Sequence, residues 1–285
     1  MIKHGLSFDL EDWHQLVSLR LGQPPGEPWR YFDECVDRML ALCDDVGCKA
    51  TFFVLGLLAE RRPTLVRRIA DAGHEIGSHS LSHRLVHTMS RAELVDDLRD
   101  SKQLLEDLSG TTVIGFRAPE FSVKSLDNPC FEALLEAGYR YDSSVFPVPS
   151  LRYGIPTAPV APFALRTPAG TLHELPLATV RVGGKRLPIA GGSHFRLAPT
   201  AFVRWGARRA EAARQPLVFY FHPYEFSRRR LYMPGGFGAN RPIGKWVALH
   251  NFNTKQIERT LRQLAADLTL APLRELVPAT NEVYR

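Results

Sequence analysis

The sequence predicts an α/β protein in which strands alternate with helices around a parallel sheet or barrel. Short apolar runs rich in β-branched and aromatic residues recur over residues 5–221, and segments with helical spacing separate them. Polar clusters follow several of these strands, where parallel α/β folds form their sites. The 285 residues fit one α/β barrel, so we expect a single domain over residues 1–285.

The first half of the chain alternates regularly. The pattern predicts strands at residues 5–10, 48–56, 74–77, 112–116 and 139–144, and helices at residues 32–46, 63–72, 90–109 and 130–137. Pro63 suits the first turn of its helix and Gly73 the position after its end. Ser90 and Glu93 have the spacing of a capping box.

The second half is less regular. Residues 147–199 are rich in proline and glycine, and short strands at residues 172–176 and 178–182 predict a β-rich insertion. A helix at residues 201–213, a strand at residues 217–221 and a last helix at residues 253–270 follow.

The basic composition narrows the range of partners. The net charge of +6 and the pI near 9.3 favour an anionic partner such as a phosphorylated sugar carrier, nucleic acid or a membrane surface, although ordinary surface charge explains them equally well. The basic clusters, such as Arg228-Arg229-Arg230, contain no run of five like charges, so we do not predict a nucleic-acid binder. Peripheral membrane contact stays open, but no stretch approaches the roughly 18 to 20 apolar residues of a transmembrane helix.

The cysteines and the N-terminus indicate a reducing compartment. Cys35, Cys43, Cys48 and Cys130 show no CxxC spacing and are expected to be reduced core residues. The chain enters a predicted strand at once, which leaves no room for a secretory signal and predicts a cytoplasmic location. No pattern indicates the oligomeric state.

His79 and His83 follow the third predicted strand. On one helical turn, two histidines four residues apart lie on the same side and can direct a nitrogen at one metal ion. An isolated pair of this kind is more often a pair of surface or capping histidines. The first strand, however, ends at three carboxylates that are poor core material, Asp9, Glu11 and Asp12.

Five segments, in this order, resemble the motifs of the polysaccharide deacetylase family, also called carbohydrate esterase family 4. They are Phe8-Asp9-Leu10-Glu11-Asp12-Trp13, His79-Ser80-Leu81-Ser82-His83, Arg117-Ala118-Pro119-Glu120-Phe121, Asp142-Ser143-Ser144 and Phe221-His222-Pro223-Tyr224-Glu225. The resemblance covers about residues 5–226 and leaves residues 227–285 as C-terminal loops and a helix. It implies a distorted (β/α) barrel with about seven parallel strands. The first motif lacks the commoner pair of adjacent aspartates and resembles a subgroup found near exopolysaccharide and O-antigen genes.

Amide hydrolysis needs a water nucleophile, an electrophile for the oxyanion, a base and an acid. A metal ion held by two histidines and one carboxylate supplies the first two. We predict His79, His83 and Asp12 as the ligands, with Glu11 as the alternative carboxylate. Zn²⁺ is the default ion, and Fe²⁺, Co²⁺ and Ni²⁺ suit the same ligands.

The remaining motif residues suit proton transfer. Asp9 is predicted to be the general base, and Arg117 would pair with it in two-point geometry. His222 would protonate the leaving amine, and Asp142 would hold the other ring nitrogen of His222. The alternatives are a capping carboxylate for Asp9, a surface salt bridge for Arg117 and a structural role for His222.

Two other features are open to more than one interpretation. The aromatic residues beside the predicted site could stack on a sugar ring or belong to the core: Trp13, Phe121, Phe146 and Tyr224. The segment Gly191-Gly192-Ser193-His194-Phe195-Arg196 has the composition of a mobile substrate loop, but a glycine pair is also ordinary turn chemistry.

The predicted function is removal of an N-acetyl group from an amino sugar in a cytoplasmic glycan precursor, nucleotide-linked or lipid-linked, for exopolysaccharide or O-antigen biosynthesis. A catalytically silent carbohydrate-binding barrel is the first alternative, and the complete set of catalytic residues argues against it. An amidase acting on a non-sugar amide is the second alternative, and it shares the same motifs.

Overall fold

A computed structural model describes residues 1–13, 29–150, 153–232, 241–279 and 282–284. In these ranges the strands are β1 (Lys3–Leu10), β2 (Thr51–Val54), β3 (Glu75–Ser78), β4 (Gly115–Phe116), β5 (Tyr141–Asp142), β6 (Phe163–Thr167), β7 (Gly170–Glu174), β8 (Thr179–Val182), β9 (Lys185–Pro188), β10 (Val218–Phe221), β11 (Thr269–Ala271) and β12 (Glu282–Tyr284). The α-helices are α1 (Phe32–Asp45), α2 (Gly56–Arg61), α3 (Pro63–Asp71), α4 (Arg91–Ser109), α5 (Cys130–Glu136), α6 (Gly192–Leu197), α7 (Thr200–Ala212), α8 (Arg241–His250) and α9 (Lys255–Asp267).

Seven strands form the parallel body of the sheet, in the order β10-β1-β2-β3-β4-β5-β7. Every neighbouring pair in this order is parallel. Strand β6 pairs antiparallel with β7, and the β8–β9 hairpin forms a separate two-stranded sheet. The predicted α/β barrel-like fold with about seven parallel strands and a β-rich insertion is therefore confirmed. The single domain over residues 1–285 stays a prediction.

The regular first half forms as predicted because its local signals agree with its packing. Strands β2 and β3 are buried along their whole length, as expected for parallel strands covered on both faces. Pro63 lies in the first turn of α3, and Ser90 with Glu93 forms the predicted capping box of α4. The predicted fourth and fifth strands are shorter than expected, with two residues each.

Several elements were not anticipated. Helices α2, α6 and α8 and the strands β6, β9, β11 and β12 have no counterpart among the predicted elements. The four cysteines are free and buried, as predicted. Within the described residues, no helix combines the length and the apolar character needed to cross a bilayer.

Candidate metal centre and active site

Glu11, His79 and His83 converge at the carboxyl ends of β1 and β3. Their ligand atoms all lie within 4.8 Å of one another, and all three residues are buried. The Oε2 atom of Glu11 lies 3.8 Å from Nε2 of His79 and 2.6 Å from Nε2 of His83. One carboxylate and two imidazoles therefore face a common point.

The two histidines do not lie on a helical turn, so that part of the sequence prediction is wrong. Ser80 and His83 adopt left-handed backbone conformations, with φ of 65° and 59°. The loop is fixed by Asp97, whose carboxylate accepts hydrogen bonds from Leu81 N at 2.9 Å and Ser82 Oγ at 2.7 Å. His83 N also donates to Ser80 Oγ at 2.9 Å. Side-chain hydrogen bonds of this kind stabilise a turn in place of a helix.

Neighbouring groups set the orientation of His79 and the charge states of His79 and Glu11 that suit cation binding. Nδ1 of His79 lies 2.8 Å from the carbonyl oxygen of Arg117, which turns Nε2 toward Glu11. Burial lowers the pKa of His79, so its ring is neutral, the form that binds metal. Burial alone would raise the pKa of Glu11, but the imidazoles of His83, His222 and His79 nearby lower it to about 2.

Asp12 does not join the cluster. Glu11 occupies the position of the carboxylate ligand that the sequence analysis assigned to Asp12. Oδ2 of Asp12 accepts a hydrogen bond from the backbone N–H of Trp29 at 2.8 Å. After β1 the chain turns, and Glu11 N donates to the carbonyl oxygen of Asp9 at 3.1 Å. This turn and the longer side chain bring Glu11, the alternative kept open above, to the two histidines.

The cluster fits a divalent transition metal. Oε2 of Glu11 is buried and receives no hydrogen bond of good geometry from the described residues. Buried carboxylate oxygens without a donor are costly, and a cation held with both imidazoles would satisfy this atom. Two histidines and one carboxylate are typical of catalytic sites that keep open positions.

Asp9 and Arg117 form a buried pair next to the cluster. Nη1 of Arg117 donates to Asp9 Oδ1 at 2.7 Å and to Ser7 Oγ at 2.7 Å. The predicted pairing is therefore present, but the predicted two-point geometry is wrong. Nε and Nη2 of Arg117 instead donate to Ser143, to its carbonyl oxygen at 2.9 Å and its Oγ at 2.8 Å. Arg117 thus fixes Oδ1 of Asp9 and leaves Oδ2 toward the site.

His222 faces the same space from the end of β10. Its Nε2 lies 3.3 Å from Glu11 Oε1 and 4.0 Å from Asp9 Oδ2. Its ring stacks on Tyr224, with centroids 4.9 Å apart and planes inclined by 12°. Burial lowers the pKa of His222, but Glu225, Glu11 and Asp9 outweigh this and raise it to about 9. In the protein without metal, the His222 ring is therefore protonated near neutral pH.

The predicted contact between Asp142 and His222 is wrong. Asp142 accepts hydrogen bonds from Ser144 Oγ at 2.6 Å and from Ser144 N at 3.1 Å. It also lies opposite Glu174 in the β5–β7 register, and burial raises the pKa of both carboxyl groups. Two buried carboxyls in contact do not both ionise easily, so Asp142 is a poor partner for an imidazolium.

Glu225 is the partner of His222, and Arg196 supports it. Oε2 of Glu225 lies 3.4 Å from His222 Nδ1 and accepts from His222 N at 3.0 Å within the short 3₁₀ helix Pro223–Phe226. The buried Arg196 donates from Nη1 to Glu225 Oε1 at 2.6 Å. A Cβ at Gly192 would lie 2.0 Å from the Glu225 carboxylate, so only glycine allows this approach.

Glu225 and Arg196 are the candidate site residues to which the sequence analysis gave no role. The signal for Glu225 was its position three residues after His222, one turn of a short helix later. Of the two interpretations of residues 191–196, the substrate loop is not supported, because most of the segment lies in α6 and Arg196 is buried. Among the aromatic candidates the core interpretation holds, since Trp13, Phe121, Phe146 and Tyr224 are all buried.

Replacing Glu225 with glutamine is expected to make His222 lose its proton at lower pH. The hydrogen bond and charge of Glu225 raise the pKa of His222 against the effect of burial. Their loss should move the alkaline decline of kcat/KM to lower pH by about one to two pH units. Asp142→Asn is the matched control and should leave the alkaline limb in place. An equal displacement in both variants would contradict the assignment of Glu225.

Two family comparisons match consecutive parts of the chain and leave residues 1–25, which include Asp9 and Glu11, outside both matches. Residues 26–141 match a family described as "Polysaccharide deacetylase", and residues 143–278 match one described as "Domain of unknown function (DUF3473)". His79, His83 and Arg117 lie in the first match, whereas Arg196, His222 and Glu225 lie in the second. The site thus draws its side chains from both matched regions.

Two curated relatives match part of this chain, and one solved structure matches almost all of it. A peptidoglycan deacetylase of Helicobacter pylori is 34% identical over 39% of this chain and 36% of its own length. A peptidoglycan-N-acetylglucosamine deacetylase of Bacillus cereus is 31% identical over 36% of this chain and 46% of its own length. The chain thus spans less than half the length of these relatives. A structure described as a polysaccharide deacetylase from Mycobacterium smegmatis shares the fold, with a TM-score of 0.61 and 19% identity over 98% of this chain and 90% of that one.

Proposed function

Since residues 26–141 match the polysaccharide deacetylase family, we propose that this chain is a metal-dependent hydrolase that removes an N-acetyl group from an amino sugar. The observation that carries the proposal is the convergence of the carboxylate–histidine–histidine cluster with the buried Asp9 and with His222. These groups are the parts that amide hydrolysis requires.

Glu11, His79 and His83 would hold the ion in this proposal. When bound, a divalent metal lowers the pKa of a water molecule and polarises the amide carbonyl. Zn²⁺ is the first choice for this ligand set, with Co²⁺, Ni²⁺ and Fe²⁺ as the other candidates. The hydrogen bond from His79 to the Arg117 carbonyl oxygen orients one ligand and links the metal cluster to the base.

Asp9 and His222 would divide the proton transfers. Oδ2 of Asp9 accepts a proton from the attacking water, while Arg117, which also donates to Ser7 Oγ, holds Oδ1 in place. The water oxygen bonds to the carbonyl carbon, and the C–N bond then breaks. His222 donates its Nε2 proton to the departing amine, so that acetate and the free amine leave. Glu225 holds Nδ1 of His222 throughout.

For the substrate, we propose an N-acetylated sugar of an exopolysaccharide or O-antigen precursor carried on a nucleotide or lipid diphosphate. The formal charge of +6 is consistent with an anionic carrier. The cytoplasmic location stays a prediction.

Acetate release tests this function. Purified protein, with and without added Zn²⁺ or Co²⁺, would be given a panel of free, nucleotide-linked and lipid-linked N-acetyl sugars together with non-sugar amides. We expect metal-dependent release of acetate from at least one of them. Turnover of non-sugar amides alone would favour the amidase alternative, and sugar binding without release would favour the silent barrel.

A further inference from the structure

We propose that a groove formed by Arg228, Arg229 and Arg230 binds the phosphate groups of the carrier to which the acetylated sugar is attached. This inference rests on the proposed deacetylase function and specifies its substrate class. The groove has a volume of about 470 Å³ and is lined by the three arginines together with Tyr224, Asn251 and Phe252, among others. No acidic side chain is among the described residues that line it.

The three arginines carry positive charge that no carboxylate of the described residues balances. All three are exposed, and none forms an ion pair with a carboxylate in the described ranges. The acidic residues of the neighbouring cavity that Arg228 also lines are Glu225 and Glu258. Both are already paired, with Arg196 and Arg38 respectively. Adjacent like charges repel one another, and a bound anion would relieve this repulsion.

The backbone that carries these arginines is fixed on both sides. Ser227 Oγ accepts from Arg229 N at 3.0 Å and donates to the carbonyl oxygen of Arg229 at 2.8 Å. Asn251 accepts from Leu231 N at 2.7 Å and donates to its carbonyl oxygen at 3.0 Å. The guanidinium of Arg229 also lies 5.4 Å from the ring centroid of Tyr31. A fixed backbone reduces the ordering cost of ligand binding.

Tyr224 connects the groove with the active site. Tyr224 lines the groove and also stacks on His222, the candidate general acid. A guanidinium presents paired donors that match phosphate oxygens in two-point geometry. A diphosphate attached to the sugar is therefore the anion that suits the groove, whether its other end is a nucleoside or a lipid.

The test compares two variants that each remove three positive charges. The groove variant combines Arg228→Gln, Arg229→Gln and Arg230→Gln, and the control combines Arg181→Gln, Lys185→Gln and Arg214→Gln, which are exposed residues outside the groove. Calorimetry would measure binding of UDP-glucose, a diphosphate diester without an acetyl group, to the metal-loaded protein. We expect the groove variant to weaken binding by about 10- to 100-fold and the control by less than about threefold.

Two further measurements complete the test. The ratio of kcat/KM for a diphosphate-linked N-acetyl sugar to that for the free sugar should fall about 10- to 100-fold in the groove variant alone. Sedimentation with phosphatidylglycerol vesicles, against phosphatidylcholine vesicles, separates the sources: a parallel loss of vesicle binding indicates a lipid carrier, and retained vesicle binding a nucleotide carrier.

Equal UDP-glucose affinity in wild type and groove variant would overturn the proposal, as would equal losses in both variants. Loss of vesicle binding alone would also overturn it, in favour of a membrane-contact patch. Absence of acetate release from every substrate would instead refute the deacetylase function, and the calorimetry would still decide whether the groove binds diphosphate.

Discussion

Replacing Asp9 with asparagine is expected to lower kcat for amide hydrolysis by about 10²- to 10⁴-fold while the metal stays bound. Asparagine keeps the size of the side chain and can still accept from Arg117, but it cannot take a proton from water. The carboxylate lies next to the Glu11–His79–His83 cluster without being part of it. Loss of rate with full metal content, measured by mass spectrometry of the purified protein, would separate the base from the ligands.

His222→Ala is expected to lower kcat to a similar extent, but for a different reason. This variant lacks the group that protonates the leaving amine, so a substrate whose leaving group needs no proton should recover much of the activity. An activated acetyl ester provides such a substrate. It should rescue His222→Ala and give little rescue of Asp9→Asn.

The pH dependence gives a second readout for His222. With a pKa raised to about 9 in the metal-free chain, His222 holds its proton through neutral pH and loses it as the pH rises through that region. The acid is thus lost on the alkaline side, and His222→Ala should flatten the alkaline limb of kcat/KM. If both variants respond alike to the ester and to pH, the division of roles between Asp9 and His222 is wrong.

Replacing His79 or His83 with alanine is expected to remove stoichiometric metal and to reduce acetate release to background. Each variant leaves two protein ligands, which cannot hold the ion with useful affinity. His87→Ala is the matched control, because His87 is exposed and lies four residues beyond His83. Full metal occupancy in a variant that lacks both His79 and His83 would refute the site.

The strand and helix order of the first half could be predicted because local signals and packing agree there. Strand β2 is a buried run of β-branched and aromatic residues, and α4 begins at a capping box visible in the sequence. Helix α6 carries no comparable signal. It begins at Gly192 directly after a second glycine, Gly191, and the contact that fixes it joins Arg196 to Glu225, 29 positions away.

Most residues of the candidate site could be predicted from the sequence, but several of the contacts between them could not. His79, His83, Asp9, Arg117 and His222 lie together as their order on alternating strands indicated. The choice between Glu11 and Asp12 could not be predicted, because it depends on a turn directly after β1.

The partner of His222 depends on tertiary structure. Asp142 is engaged by Ser144 and opposed by Glu174, so the 3₁₀ helix that follows His222 supplies Glu225 in its place. Because the Glu174 contact comes from strand register in the irregular second half, the local pattern around Asp142 does not reveal it.

The most direct test of the metal site is the metal content of Glu11→Gln and Asp12→Asn, measured with acetate release on the same preparations. Glutamine at position 11 keeps the volume but removes the charged ligand oxygen, whereas asparagine at position 12 can still accept from Trp29 N. We expect Glu11→Gln to lose metal and activity together, and Asp12→Asn to keep both within about threefold of wild type. Full metal content in Glu11→Gln with loss in Asp12→Asn would contradict the Glu11–His79–His83 site and restore Asp12 as the ligand.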